Sequence, residues 1–390
     1  MTSKTPKVAL IGISGYGRIH LELAHEWESR GELRIVAATV INSAEEAENV
    51  ARLRNSGCAI HADYESMLRE HEGNIDLCLI PTGIHWHSRM TIAALRAGAN
   101  VLVEKPLCCS MEEAEAIMAA EKETGRFVAV GFQDLYDPGA PWLKAELDRG
   151  AIGSIRSIRF LGIWPRMRSY FHRNDWAGRL KVNGKAVYDS PLSNAFAHFV
   201  MLGLFLSGGK GRADIANGRL RAQLFRAHDI ESFDTAVVQM KTASGIDIWI
   251  GVSHACRESS EPEIVIEGDR GEARWRYERD TWWQDLNGVR TSHRLHDANG
   301  ARRCMMAATM RHLSGDGAAI CTTEMAAAHT RFIEALHRDC PIVPFNPEKV
   351  MWTGDNGSES AIPYVPGLEQ ALRDAFQSKA MLAESSFAGV

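Results

Sequence analysis

Short apolar runs alternate with helical stretches through the first third of the chain. The runs are Lys7–Ile13, Leu33–Val40, Ile75–Ile80, Val101–Val103 and Phe127–Phe132. Runs that are apolar at nearly every residue, rather than at every second one, belong to strands buried on both faces. Strands and helices alternating with short links predict a parallel, doubly wound α/β sheet. One run ends in Glu104-Lys105-Pro106. Proline cannot continue a sheet ladder, so the strand stops there and delivers Lys105 at its carboxyl end. Ligands of open α/β sheets sit outside those ends. A partly desolvated lysine beside a carboxylate is a candidate proton donor or acceptor.

The first run passes directly into Gly12-Ile13-Ser14-Gly15-Tyr16-Gly17, and a helix is expected from Arg18 to Arg30. Strand, glycine-rich turn, then helix is the order that seats a pyrophosphate on a helix N-terminus. Ser14 occupies the middle glycine position, and Gly15 beside it can take over the close backbone approach. The second strand ends in Val40-Ile41-Asn42-Ser43, with a helix expected from near Ser43. No acid stands at that tip to repel a 2′-phosphate and no arginine to hold one. Asn42 and Ser43 can hydrogen-bond either ribose, so the tip leaves NAD and NADP open.

At 390 residues the chain is long enough for two domains. The expected division is a dinucleotide-binding Rossmann domain over 1–136, an α+β domain over 137–365, and a C-terminal helix over 366–390 that packs back on the body. The second domain carries period-2 strands at Ile155–Phe160, Asp234–Lys241, Asp247–Val252, Glu263–Gly268 and Gly271–Tyr277. That pattern predicts a mostly antiparallel sheet with one covered face, under helices near Asn194–Leu206 and Thr323–Asp339. The weakly periodic stretch 281–320 reads as a long excursion. A net charge of −5 with no basic block argues against nucleic-acid partners, and an acidic surface does not seek anionic membranes. The opening residues lead into a strand without a signal-peptide pattern, and eight scattered cysteines suit a reduced, cytoplasmic protein.

The segments IGISGYGRIH (11–20), PTGIHWH (81–87), AALRAGANVLVEKPL (93–107) and VAVGFQDLY (128–136) together resemble the Gfo/Idh/MocA oxidoreductases, the family of glucose–fructose oxidoreductase and the inositol dehydrogenases. The resemblance covers residues 5–136 and continues more loosely through 149–160. It implies a nicotinamide dinucleotide, NAD or NADP, held by Gly12, Ser14, Gly15, Tyr16, Gly17, Asn42, Ser43, Thr82, His87, Glu104 and Lys105. It also implies Lys105 near the reacting hydroxyl. The family's D-x-G-x-H segment falls on Asn194 to His198, with Asn194 at the aspartate and Phe196 at the glycine. His198 is thus the implied acid/base. Asn194 can orient a hydroxyl but carries no charge. Asp189, nine residues before His198, is a candidate source of the missing charge.

Ahead of that segment, Arg166, Tyr170, Arg173, Asn174 and Trp176 form a polar–aromatic block of the kind that binds sugar rings by stacking and forked donors. His85 and His87 flank Trp86, but no third ligand accompanies them, and no metal is expected. The expected activity is hydride transfer to or from a secondary alcohol of a sugar, cyclitol or related polyol. Two alternatives are glycoside cleavage through transient oxidation by bound NAD and a non-catalytic dinucleotide sensor. The resemblance further implies a homo-oligomer.

Overall fold

The structure is a computed structural model that describes residues 5–208 and 215–382. The chain divides into two compact units, Met1–Phe132 with Arg302–Ala327, and Gln133–Ala301 with Ala328–Val390.

In the first unit the elements run β1 (Lys7–Ile11), α1 (Gly17–Ser29), β2 (Arg34–Thr39), α2 (Ala47–Asn55), β3 (Ala59–His61), α3 (Tyr64–Glu70), β4 (Leu77–Ile80), α4 (Ile84–Arg96), β5 (Asn100–Glu104), α5 (Met111–Thr124) and β6 (Val128–Gly131). The six strands are all parallel, in the order β3-β2-β1-β4-β5-β6. The order reverses direction between β1 and β4, so the carboxyl ends of these two strands flank the crevice where such sheets bind ligands. Leu10, Leu79, Val101, Leu102 and Val130 are fully buried, as the unbroken apolar runs require. The Ser110 hydroxyl caps α5 by accepting the Glu113 N–H at 3.2 Å, and Gly125 ends it with a left-handed φ of 66°. One boundary differs: residues 41–46 form turns, and α2 starts at Ala47 rather than near Ser43.

The second unit contributes α6 (Gly139–Asp148), β7 (Ile155–Ile163), α7 (Arg168–His172), the hairpin β8 (Lys181–Val182) and β9 (Lys185–Ala186), and α8 (Ala197–Ser207). Then come β10 (Ile215–Arg226), β11 (Thr235–Thr242), β12 (Asp247–Ser253), β13 (Ser260–Gly268), β14 (Gly271–Arg276), β15 (Asp280–Asp285) and β16 (Arg290–Arg294). Helices α9 (Ala298–Leu313) and α10 (Thr323–Asp339) follow, then β17 (Ile342–Pro344), the pair β18 (Met351–Trp352) and β19 (Pro363–Tyr364), and α11 (Leu368–Ser378). Nine strands form one sheet, β16-β15-β14-β13-β7-β12-β11-β10-β17. It is antiparallel except where β7 meets β12 and β10 meets β17.

Alternation along β7 assigns the faces. Ile158 and Phe160 pack with Phe199 and Leu202 of α8 and with Phe332 and Leu336 of α10. Leu161 and Ile163 join Trp249, Leu372 and Phe376 on the other side. Two expectations are therefore corrected. Both faces of the sheet are covered, the second by α11, which Arg159 ties down through the Phe376 carbonyl at 3.1 Å. The stretch 281–320 is not an excursion but most of β15 with β16 and the whole of α9, and its residues from Arg302 belong to the first unit, which takes Arg302–Ala327. The last helix is shorter than the expected 366–390, ending at Ser378, and residues 383–390 lie outside the described residues.

Candidate active site

In the first unit, Gly12 takes φ +92°, which a side chain rarely tolerates. A Cβ on Gly17 would lie 2.7 Å from the Gly12 carbonyl oxygen, so α1 can approach β1 only with glycine there. The turn closes when the Gly17 N–H donates to the Ser14 carbonyl at 2.9 Å. Gly15 carries φ +56°, and Ser14 at the middle position uses its side chain, the hydroxyl donating to Asn42 Oδ1 at 2.8 Å. The turn and the first N–H groups of α1 make the cradle a pyrophosphate needs, and the tight Gly12–Gly17 approach is the observation that fits a dinucleotide here. Thr82 stands over it, with its methyl 3.5 Å from where a Cβ on Gly12 would be.

The ribose side differs from the sequence reading. Carboxylates do reach the β2 tip, because the turns at 41–46 fold them back. Asn42 donates to Glu45 at 2.8 Å. Glu46, only 3% exposed, accepts from Arg18 Nη2 at 2.7 Å. The Arg18 hydrogen bond outweighs burial and holds the Glu46 carboxyl below the usual range. Ser43 turns back to the Val40 carbonyl at 3.2 Å. Arg302, from the segment thought to be an excursion, donates to the Tyr16 hydroxyl at 3.2 Å.

Lys105 follows β5 directly, and its peptide bond to Pro106 is cis. Glu104 turns inward. Its Oε1 lies 2.8 Å from His20 Nε2 on α1, and its Oε2 accepts the Lys105 N–H at 3.1 Å. Burial raises the Glu104 pKa, but His20 and the Lys105 charge and N–H oppose it, leaving the carboxyl below its ordinary range. His87 spans the loops after β4 and β5, with Nδ1 2.8 Å from the Pro106 carbonyl and Nε2 3.1 Å from that of Thr82. Burial pushes this imidazole below its ordinary pKa. A neutral ring donates to one of the two carbonyls at a time.

In the second unit, His198 stands in the first turn of α8. Asn194 is not on that helix, as the sequence reading assumed, but in the turn before it. Asn194 donates to Asp189 Oδ1 at 2.8 Å. Asp189 is 2% exposed and its Oδ2 accepts the Gly178 N–H at 2.7 Å. Tyr188 just before it adopts φ +48°, a conformation that costs a residue with a side chain about 1–3 kcal/mol. Ser193, which donates to the Tyr188 carbonyl, and a stack on His337 at 4.5 Å hold it there.

His198 has a different carboxylate. Its Nδ1 lies 3.5 Å from Oδ2 of Asp134, on the short 3₁₀ turn Gln133–Leu135 after β6. The sequence reading missed Asp134 as a site residue, although it stands inside the VAVGFQDLY segment. Phe196, at the family's glycine, is fully buried, and the room for it comes from Gly162, where a Cβ would meet the Phe196 ring at 2.7 Å. Of the aromatic block, the Arg173 guanidinium lies 3.8 Å from the Tyr170 ring centre and that of Arg166 at 4.8 Å. Trp176 lies 5.3 Å from Arg173. Asn174 is occupied locally, its Oδ1 accepting the Ala177 N–H at 2.8 Å.

A family model for an oxidoreductase family with an NAD-binding Rossmann fold matches residues 7–132, and the C-terminal domain model of the same family matches 142–274. The chain belongs to the Gfo/Idh/MocA family. Members of this family are oxidoreductases that bind a nicotinamide dinucleotide, and the glycine turn of β1 and α1 is where the dinucleotide fits. Among relatives of known function, an inositol 2-dehydrogenase of Azotobacter vinelandii is 27% identical over 271 residues, covering 69% of this chain and 73% of that protein. An inositol 2-dehydrogenase/D-chiro-inositol 3-dehydrogenase of Halalkalibacterium halodurans is 31% identical over 187 residues, 48% of this chain and 49% of that one. The crystal structure of an inositol dehydrogenase homologue from Azotobacter vinelandii complexed with NAD⁺ superposes with a TM-score of 0.72 at 18% identity, covering 87% of this chain and 97% of that one. At that identity the likeness concerns the fold. No helix among the described residues is long and apolar enough to cross a membrane.

Proposed function

We propose that this Gfo/Idh/MocA oxidoreductase acts on a secondary hydroxyl of a cyclitol or related polyol, with Lys105 and His198 as its catalytic residues. The observation that carries the reading is the His198–Asp134 pair at 3.5 Å, a largely enclosed imidazole beside a buried carboxylate. The dinucleotide, when bound, supplies the hydride acceptor or donor. Lys105 polarises the substrate oxygen. His198 moves the proton at Nε2, while Asp134, at ion-pair distance from Nδ1, favours the charged imidazolium. Asn194, held by Asp189, orients a hydroxyl. The dehydrogenase names of the relatives support the substrate class, as does the aromatic and arginine block ahead of α8. Cytoplasmic residence and assembly into a dimer or tetramer belong to the same reading, and sedimentation of the purified chain tests the second.

The experiment is a screen of inositols and sugars with NAD and NADP, following dinucleotide reduction. Lys105→Ala and His198→Ala should each lose roughly 10²–10⁴ in kcat while still binding the dinucleotide. Full turnover in the Lys105→Ala protein overturns the assignment.

A further inference from the structure

Arg166, the first residue of the polar–aromatic block ahead of α8, is held firmly by its surroundings in the second unit. Its backbone is clamped from both sides. Its N–H donates to the His254 carbonyl at 3.1 Å, and its own carbonyl lies 3.0 Å from His228 Nε2. His228 in turn is backed by Asp234, fully buried, at 2.8 Å, and His254 Nδ1 lies 2.7 Å from the Trp164 carbonyl. This is a rigid mount for one guanidinium. Its Nε is sealed from solvent and meets no hydrogen-bond acceptor among the described residues. No carboxylate among the described residues lies within ion-pair distance of it.

The surroundings sharpen that charge. Arg166 shares the Tyr170 ring with Arg173, so two guanidiniums occupy one aromatic patch. The acids nearby are already engaged. Asp189 is 3.9 Å from Arg173 and also serves Gly178 and Asn194. Asp234 accepts His228 and two backbone N–H groups. Glu261 accepts the Trp164 indole N–H at 3.1 Å, and Glu359 lies against His172. Among the described residues only Asp189 lies within ion-pair distance of the arginine pair, and it faces Arg173, so Arg166 has no carboxylate partner in this half-buried aromatic setting. The field of the pair is visible on its neighbours. After burial, the Arg166 charge is the main cause holding His254 well below its ordinary pKa, and Arg173 opposes the upward push of burial on Tyr170.

The arginine pair is also connected to the residues of the proposed chemistry. Asp189 joins Arg173 to Asn194, and Trp164 stacks on Phe196 at 4.8 Å, two residues before His198. A planar guanidinium pair in which Arg166 has no carboxylate partner suits a planar, singly charged oxyanion, which it can grip by forked, charge-assisted hydrogen bonds. We propose that Arg166 and Arg173 form a carboxylate subsite, and that the substrate is an acidic sugar or cyclitol derivative such as a uronic or aldonic acid. A phosphate group carries up to twice that charge and is the poorer match.

The proposal deepens the oxidoreductase reading and rests on it. The test is calorimetry on the dinucleotide-loaded protein with D-glucuronate, D-galacturonate and D-gluconate, each set against glucose, galactose and glucose 6-phosphate. The same panel is followed for dinucleotide reduction. A carboxylated compound should bind about tenfold or more tightly than its neutral counterpart. Arg166→Gln should erase that preference with an unchanged circular dichroism spectrum, and Arg166→Lys should restore part of it. Equal binding of acidic and neutral sugars, preference for the 6-phosphate, or a preference surviving in Arg166→Gln overturns the subsite. Tight carboxylate binding with no reduction of the dinucleotide anywhere in the panel leaves the subsite standing and overturns the catalytic reading instead.

Discussion

His198 Nδ1 and Asp134 Oδ2 are 3.5 Å apart, with the two side chains 12% and 7% exposed. The pair brings a carboxylate to the imidazole from outside the segment in which the family carries it. A carboxylate at that distance favours the protonated ring of the group proposed to move the proton.

Asp134→Asn keeps the size of the partner and removes its charge. With the charge that favours the protonated ring removed, the acid-side limb of the kcat/KM profile should move to lower pH. Turnover at the optimum should drop while the dinucleotide affinity stays the same. A pH profile that does not move in the Asn variant removes Asp134 from the mechanism.

The ribose side carries the second prediction. Glu45 holds Asn42, and Glu46 holds Arg18, the arginine that follows the glycine turn. A 2′-phosphate brought to Asn42 meets one exposed carboxylate and an arginine already paired. NAD should therefore bind at least about tenfold more tightly than NADP. Glu45→Gln should narrow that gap and Glu46→Gln, by releasing Arg18, should narrow it further. Equal affinities for the two dinucleotides in the unaltered protein would contradict this account.

The sequence was most legible where chemistry is local. Gly12 and Gly17 are adjacent turns of one motif, and Lys105 is positioned by the strand and proline that flank it. What escaped was contact between residues far apart in the chain. Asp134 and His198 are separated by sixty-four residues, and nothing in either segment marks the other. Glu46 was read as part of a helical first turn, whereas the turns at 41–46 bring it to Arg18. The surroundings of Asn194 and Phe196 were equally hidden, because the residues they meet, Asp189 and Gly162, lie elsewhere in the chain. Edge strand β16 escaped for another reason. Nearly all of it faces solvent, so the alternation that reveals half-buried strands is weak there.

His20 and Glu104 give a prediction about stability. The pair is buried, at 1% and 5% exposure, and Glu104 also holds the backbone of Lys105. Removing one member of a buried pair leaves the other charge uncompensated, which costs about 3–5 kcal/mol. His20→Ala should therefore lower the urea midpoint strongly, and Glu104→Gln, which can still hydrogen-bond to His20, should lower it less. Because the Glu104 carboxyl sits below its ordinary range, its contribution is complete above the unfolded value of 4.5 and fades as pH falls through the folded one. Equal midpoints for His20→Ala and the unaltered protein at neutral pH would mean the pair is not what ties α1 to β5.

His337 titrates in a more accessible window. Burial under Tyr188, whose ring it stacks at 13°, lowers its pKa from 6.5 to about 4. A histidine depressed in the folded state binds its proton more readily when unfolded. Its contribution is therefore whole above pH 6.5 and is lost progressively as pH falls toward 4. At about 1.4 kcal/mol per unit, the full loss is about 3 kcal/mol. Urea denaturation of the unaltered protein at pH 7 and pH 5 should show a clear fall. His337→Phe, which keeps the aromatic stack and cannot take up a proton, should show a smaller one. The same variant tests what holds Tyr188 in its strained conformation. If the stack alone does so, Asp189 stays on Asn194 and the substrate KM is unchanged. A rise in KM with an unchanged kcat would mean that the imidazole itself, and not only its face, keeps the turn at Tyr188 in place.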